Sequence, residues 1–248
     1  RATFFTVGWL AEHYPNLVRE VADAGHEMAC HSYWHRRVSE LTPSEFREDI
    51  HRNKVVLEDI SGKAVTAFRA PTYSIVKSSE WAWDILIEEG FKVDSSVFPI
   101  HHKRYGNPNS ERFPHEIQRE TGTLIVFPLS TVRIAGNNIP IVAGGYLRFF
   151  PYSFTKFGIN KINQAEKQPA VIAFHPWELD PFHPMPKVSA LKRFRHKVNI
   201  EKTEQKLRQL LNDFKFDSMQ GVLNQYFTRL EGVKESEFAH DFALSRQS

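Results

Sequence analysis

Residues 1–31 read RATFFTVGWLAEHYPNLVREVADAGHEMACH. The run from Ala2 to Val7 is short, apolar and closed by Gly8, the pattern of a buried strand. Pro15 and Gly25 bracket a segment in which Leu17, Val18, Val21 and Ala22 share one side, which predicts a helix over 15–24. HEMACH, residues 26–31, is the next strand candidate. Strand, helix, strand in this order predicts parallel strands with the helix packed outside them, and that reading sets the fold class as α/β.

The same rhythm continues. TPSEFREDIHRNKVVLEDISG (42–62) opens with a capping box, Thr42 to Glu45, and Pro43 at the first helical position. Phe46, Ile50, Leu57 and Ile60 fall on one face, and Gly62 ends the helix. AVTAFR (64–69) reads as a strand, SSEWAWDILIEEG (78–90) as a helix and FKVDSS (91–96) as a strand. Further on, TLIVFPLSTVRIAG (123–136) and GGYLRFFP (144–151) have strand-like composition, and 152–166 reads as helical. PAVIAFHPWEL (169–179) reads as a strand running into a polar tip, and 202–214 as a last amphipathic helix. The His-, Pro- and Arg-rich stretch 100–122 reads as a long loop, a kind of segment that often carries function. No repeat or linker divides the chain, so its 248 residues read as one domain with a decorated C-terminal half.

Bulk properties exclude some classes. A net charge of +3, with Lys and Arg spread along the chain, gives no footprint for nucleic acid. No apolar run approaches the length of a membrane span. The single cysteine, Cys30, excludes an intrachain disulfide. Arg1 stands where Met is usual and a strand begins at once, so the sequence reads as lacking its beginning, and with it any targeting signal.

Chemistry-bearing residues gather at predicted strand ends, where parallel α/β folds build their sites. His31 and His35 follow the second strand, and a helical turn after it would bring their imidazoles together on a divalent metal. A surface pair is the alternative, since the chain has 12 histidines. Arg69 in FRAPTYS could clamp a carboxylate or cap the sheet. Asp94 could orient an imidazole or close an Asx turn, and His175 in VIAFHPWE is a proton donor or a structural histidine. Together they suit metal-assisted hydrolysis.

The ordered motifs resemble those of the NodB-like polysaccharide deacetylases, carbohydrate esterase family 4. His31-Ser32-Tyr33-Trp34-His35 is similar to the family's H-[ST]-x-x-H, and Arg69-Ala70-Pro71-Thr72-Tyr73 to its R-x-P-aromatic motif. Asp94 and His175 match the acid of the fourth motif and the histidine of the fifth. FPLSTVR, GGYLRFFPY, FHPWELDP and RFRHKVN resemble a bacterial subgroup linked to exosortase-associated exopolysaccharide loci. The resemblance implies a distorted, incomplete (β/α) barrel lacking its first strand, with a core over 1–178 and an extension over 179–248 packed on it. It implies a zinc site held by His31, His35 and an acid of the family's first motif, which lies upstream of Arg1 together with the catalytic base, so that the chain as given would be inactive. It implies that Arg69 holds that base, that His175 protonates the leaving amine and that Asp94 orients His175. A backbone N–H near Thr72 or Tyr73 would meet the oxyanion, and Tyr73 and Trp177 would stack on sugar rings. Gly144, Gly145 and Tyr146 would shape a loop near the groove. The implied partner is a polysaccharide or oligosaccharide. Two other functions remain open: a carbohydrate-binding module without catalysis, and hydrolysis of another amide, such as a cyclic amide or imide, on the same scaffold.

Overall fold

A computed structural model of the chain describes residues 1–102, 105–141, 143, 145–184 and 187–230. The first strand, β1 (Thr3–Thr6), leads through two short helices, α1 (Gly8–His13) and α2 (Pro15–Asp23), to β2 (Glu27–Cys30). The long helix α3 (Pro43–Ser61) follows, then β3 (Ala67–Phe68), α4 (Ala82–Glu88) and β4 (Val93–Asp94). The hairpin β5 (His115–Arg119) and β6 (Gly122–Val126) completes a six-stranded sheet in the order β1-β2-β3-β4-β6-β5. All its pairs are parallel except β5 with β6.

Local sequence explains these elements. In α3 the Glu45 N–H donates to Thr42 Oγ1 and the Thr42 N–H to Glu45 Oε2, so both ends of the capping box form. Gly62 ends the helix with φ of 64°, a left-handed conformation that costs glycine nothing. Strand alternation then sorts side chains between the two faces of the sheet. Cys30 and Phe68 pack beneath α2, α3 and α4 with Val18, Phe46, Ile50 and Leu86. Ala29, Ala67 and Val93 face the other way and are covered by Met219 and Leu223 of a ninth helix, α9, over 219–230.

The C-terminal half adds a second hairpin, β7 (Thr131–Ile134) with β8 (Asn137–Pro140), and the helices α5 (Gly145–Phe149), α6 (Tyr152–Asn160), α7 (Ala190–Lys197) and α8 (Thr203–Asp213). The helical reading of 152–166 is met by α6 and one π turn, Lys161–Ala165.

Four expectations are corrected here. GGYLRFFP is helical from Gly145 to Phe149: Leu147 and Arg148 are buried while Phe149 is exposed, a spacing that strand-like composition hid; Gly144 lies outside the described residues. PAVIAFHPWEL makes one isolated bridge, Ala143 to Ala173, and then a 3-10 turn over Pro176–Leu179. The stretch 100–122 contains β5, whose residues alternate between half-buried and exposed. The helix near 202–214 is followed by α9. Among the described residues no helix is long and apolar enough to cross a membrane.

Candidate active site

One row of residues crosses the sheet in register, Thr6, Cys30, Phe68, Asp94 and Val126. Beyond it the chain leaves the sheet at His31, Arg69 and Ser95, each N–H still bonded to the neighbouring strand: His31 to Thr6 O, Arg69 to Cys30 O, Ser95 to Phe68 O. The parallel ladder therefore sets the site's groups side by side at the carboxyl edge of the sheet.

His31 and His35 are neighbours, with ring centroids 5.0 Å apart. No helical turn joins them. Ser32 and His35 instead take left-handed φ values of 65° and 58°, which fold the loop back on itself. The loop is pinned from α3: buried Asp49 accepts the N–H groups of Tyr33 (2.8 Å) and Trp34 (3.1 Å), and Asn53 Nδ2 donates to Thr6 O and Ser32 O. Gly8 permits this approach, because a Cβ there would stand 2.5 Å from the Tyr33 ring.

His31 Nδ1 lies 2.6 Å from the Arg69 carbonyl oxygen. A carbonyl only accepts, so Nδ1 carries the proton and Nε2 keeps its lone pair for a ligand. Burial lowers the His31 pKa to about 3, and burial also lowers that of His35, with the His175 charge adding to both. Neutral imidazole is the ligating form, so the donor chemistry fits a divalent cation. Among the described residues no group of three or more His, Cys, Asp or Glu is placed to hold a metal, so the pair supplies two donors.

Arg69 is nearly buried, donates from Nε to Ser95 O (3.0 Å) and from Nη2 to Ser95 Oγ (2.8 Å), and sits 4.1 Å over the Phe5 ring. Burial lowers its pKa, yet a guanidinium stays charged in a protein. Next in the chain, Thr72 and Tyr73 have φ of 58° and 53°, a tight left-handed turn. The Tyr73 N–H is engaged by Ala70 O at 3.0 Å, and its ring packs on Phe98 and Tyr105.

The hydrogen bond that the resemblance assigns to Asp94 is made by another residue. Fully buried Asp94 accepts from Trp83 Nε1 (2.9 Å) and from the Ser96 N–H and hydroxyl. Ser96 Oγ in turn accepts the Ala70 N–H at 2.8 Å, so Asp94 braces the turn that carries Thr72. Burial raises the Asp94 pKa to about 6. His175 instead meets Glu178: both its backbone N–H (3.0 Å) and its ring Nδ1 (3.1 Å) reach Glu178 Oε1. Glu178 was not singled out in the sequence. Its signal was the spacing of His175, Pro176 and Glu178, which is that of a first helical turn closed by an acid. Trp177 packs within the protein, 4.1 Å from the His196 ring and 5.1 Å from Arg148. Trp34, beside His35, is the exposed aromatic at the site, 53% accessible; its position inside the motif between the two histidines was the available signal.

A parallel α/β sheet thus carries a pair of imidazoles at its carboxyl edge, the arrangement that the NodB-like resemblance implies. Residues 1–93 match the polysaccharide deacetylase family, and residues 95–224 match a domain of unknown function, DUF3473. The chain belongs to the DUF3473 family, and the segment that matches the polysaccharide deacetylase family precedes that domain. It is 32% identical over 83 residues to a peptidoglycan-N-acetylglucosamine deacetylase of Bacillus cereus, covering 33% of this chain and 30% of that one. It is 28% identical over 96 residues to a peptidoglycan deacetylase of Helicobacter pylori, covering 39% of this chain and 32% of that one. The matched stretch thus spans about a third of those relatives' length. Among solved structures, a Mycobacterium smegmatis protein assigned as a polysaccharide deacetylase superposes with a TM-score of 0.59 at 19% identity, over 94% of this chain and 72% of that one. PuuE allantoinase gives 0.59 at 13% identity, over 91% and 67%. These two likenesses establish the fold.

Proposed function

We propose that this chain contributes the catalytic groove of a metal-dependent deacetylase that removes N-acetyl groups from a bacterial polysaccharide. The carrying observation is His31, whose Nδ1 proton is committed to the Arg69 carbonyl 2.6 Å away while the His35 ring stands 5.0 Å off. His31 and His35 would hold the cation, and zinc suits paired imidazoles. When bound, it would supply Lewis acidity and an acidified water.

The chain's own groups divide the remaining work. Arg69, fixed by Ser95 through Nε and Nη2, presents a positive charge for the carboxylate base of the family's first motif. With the Tyr73 N–H engaged, the Thr72 N–H is the backbone donor for the oxyanion, in a turn braced through Ser96 by Asp94. His175 delivers the proton to the leaving amine from Nε2, since Nδ1 is held by Glu178. Exposed Trp34 offers a stacking face for a sugar ring beside His35, with half-buried Tyr73 and Trp177 as further contacts for the saccharide. That aromatic face favours a saccharide over a cyclic amide, although the allantoinase shares the fold. The C-terminal motifs GGYLRFFPY and FHPWELDP support an exopolysaccharide as the polymer.

Metal content and acetate release from N-acetylglucosamine oligomers, measured on the full-length protein and on His31→Ala, test the reading. The variant is expected to lose both metal and turnover. Equal metal stoichiometry in the two proteins would overturn the ligand assignment, and ring opening of a cyclic amide without acetate release would overturn the substrate.

A further inference from the structure

The DUF3473 segment buries an ion pair beside His175. Arg148 on α5 and Glu178 in the turn after His175 are both almost fully buried, with side chains 4% and 1% exposed. Arg148 Nε donates to Glu178 Oε2 at 2.8 Å. The other carboxylate oxygen, Oε1, takes the backbone N–H and ring Nδ1 of His175. Arg148 is itself held: its guanidinium donates to the His196 carbonyl and lies 5.1 Å from the Trp177 ring, while its own carbonyl accepts from Asn199 Nδ2 and Lys206 Nζ. The Glu178 pKa ends below the usual range: burial pushes it up, and the His175 hydrogen bonds and the Arg148 charge outweigh that.

A buried carboxylate is costly unless its partners pair its charge and satisfy its lone pairs. Here one oxygen is spent on the guanidinium and the other on a half-exposed imidazole at the site edge, the arrangement that fixes a histidine's tautomer and ring plane. Asp94 makes its bonds to Trp83 and Ser96 instead. We infer that Arg148 and Glu178 are the positioning pair for His175: Glu178 holds its Nδ1 proton and steadies its imidazolium, and Arg148 fixes Glu178. The DUF3473 segment would then supply the proton-donor half of the site, and residues 1–93 the metal-binding half. This inference rests on the proposed role of His175 as proton donor.

The test is Glu178→Gln in the full-length, metal-loaded protein, with His175→Ala beside it. Glu178→Gln is expected to lower kcat about 10–100-fold, the usual effect of losing a group that orients a functional side chain. KM and metal content should hold. The ¹⁵N NMR shifts of the His175 ring should move away from a single Nδ1–H form, a change that loss of packing elsewhere would not produce. The double variant Arg148→Met/Glu178→Gln removes the pair without stranding a buried charge; it should fold and be as slow as the single variant, and it carries the test if the single variant does not fold. Normal kcat and unchanged His175 shifts in a Glu178 variant, with His175→Ala slow, would overturn the inference and leave the deacetylase reading standing. A normal rate in His175→Ala would overturn the proton-donor role and the inference with it.

Discussion

His31 follows β2 and Asp94 ends β4, with β3 between them at the same sheet edge, and burial moves their proton equilibria in opposite senses for stability. The His31 pKa falls from 6.5 to about 3, so between those values the unfolded chain binds the extra proton and stability is lost as pH falls. The Asp94 pKa rises from 3.8 to about 6, so in that window the folded chain binds the extra proton and stability is lost as pH rises. Each slope is about 1.4 kcal/mol per pH unit at most, and between pH 4 and 6 the two largely cancel. Urea unfolding at pH 4.5, 5.25 and 6 is expected to show this: relative to the parent chain, His31→Gln should lose stability as pH rises, and Asp94→Asn should gain it. Parallel curves for all three would mean that neither group is buried as the structure has it. His175 makes a separate kinetic prediction. In the full-length protein His175→Ala should lower kcat by about 10²–10⁴-fold with metal content intact, as for any well-placed proton donor.

Among the elements, α3 does most to shape the site, although it contributes no group to the chemistry. Its apolar face, Phe46, Ile50 and Leu57, was legible as a 3.6-residue period. Asp49 and Asn53 on the same helix were not, because a polar residue in a helix reads as solvent-facing unless its partners are known. Both are buried, and Asp49 satisfies two N–H groups of the loop between His31 and His35. Asp49→Ala would orphan those donors at roughly 1–3 kcal/mol each. A stability loss of about 2–6 kcal/mol is expected, with cobalt(II) or zinc affinity of the full-length protein falling about 10–100-fold. Calorimetric titration checks this, and undiminished affinity would show that the loop holds its shape without α3. The left-handed Ser32 and His35 were equally hidden, since a residue other than glycine takes a positive φ only rarely.

At the scale of the whole molecule, the two family segments share one sheet. Strands β1 to β3 come from the first and β5 and β6 from the second, with β4 at the junction between them. Helix α9 closes the far face: the Met219 N–H donates to Thr3 Oγ1 at 2.7 Å, the Gln220 N–H to Glu27 Oε2 at 3.1 Å, and Leu223 packs with Ala29, Ala67 and Val93. Leu223 is 3% exposed, so Leu223→Ala should cost roughly 2–5 kcal/mol. Because strands of both segments lie under that side chain, unfolding monitored in either half should shift together. Two separate transitions, with only one moved by the substitution, would divide the molecule into independent parts.

The sequence by itself determined the alternation of strand and helix in the first half, apart from the short helix α1, together with the parallel sheet and the strand ends at which His31, Arg69 and Asp94 emerge. Those follow from short-range causes: side-chain period, capping chemistry and glycine or proline at boundaries. Only tertiary structure decided which carboxylate reaches His175. Asp94 and Glu178 both precede or follow short polar turns, and either could reach an imidazole in the abstract. The long-range contacts with Trp83 and Ser96 on one side, and with Arg148 on the other, commit Asp94 to the Thr72 turn and Glu178 to the histidine. Each carboxylate has few lone pairs, and burial requires that its partners satisfy them, so the packing around it decides which partner it keeps.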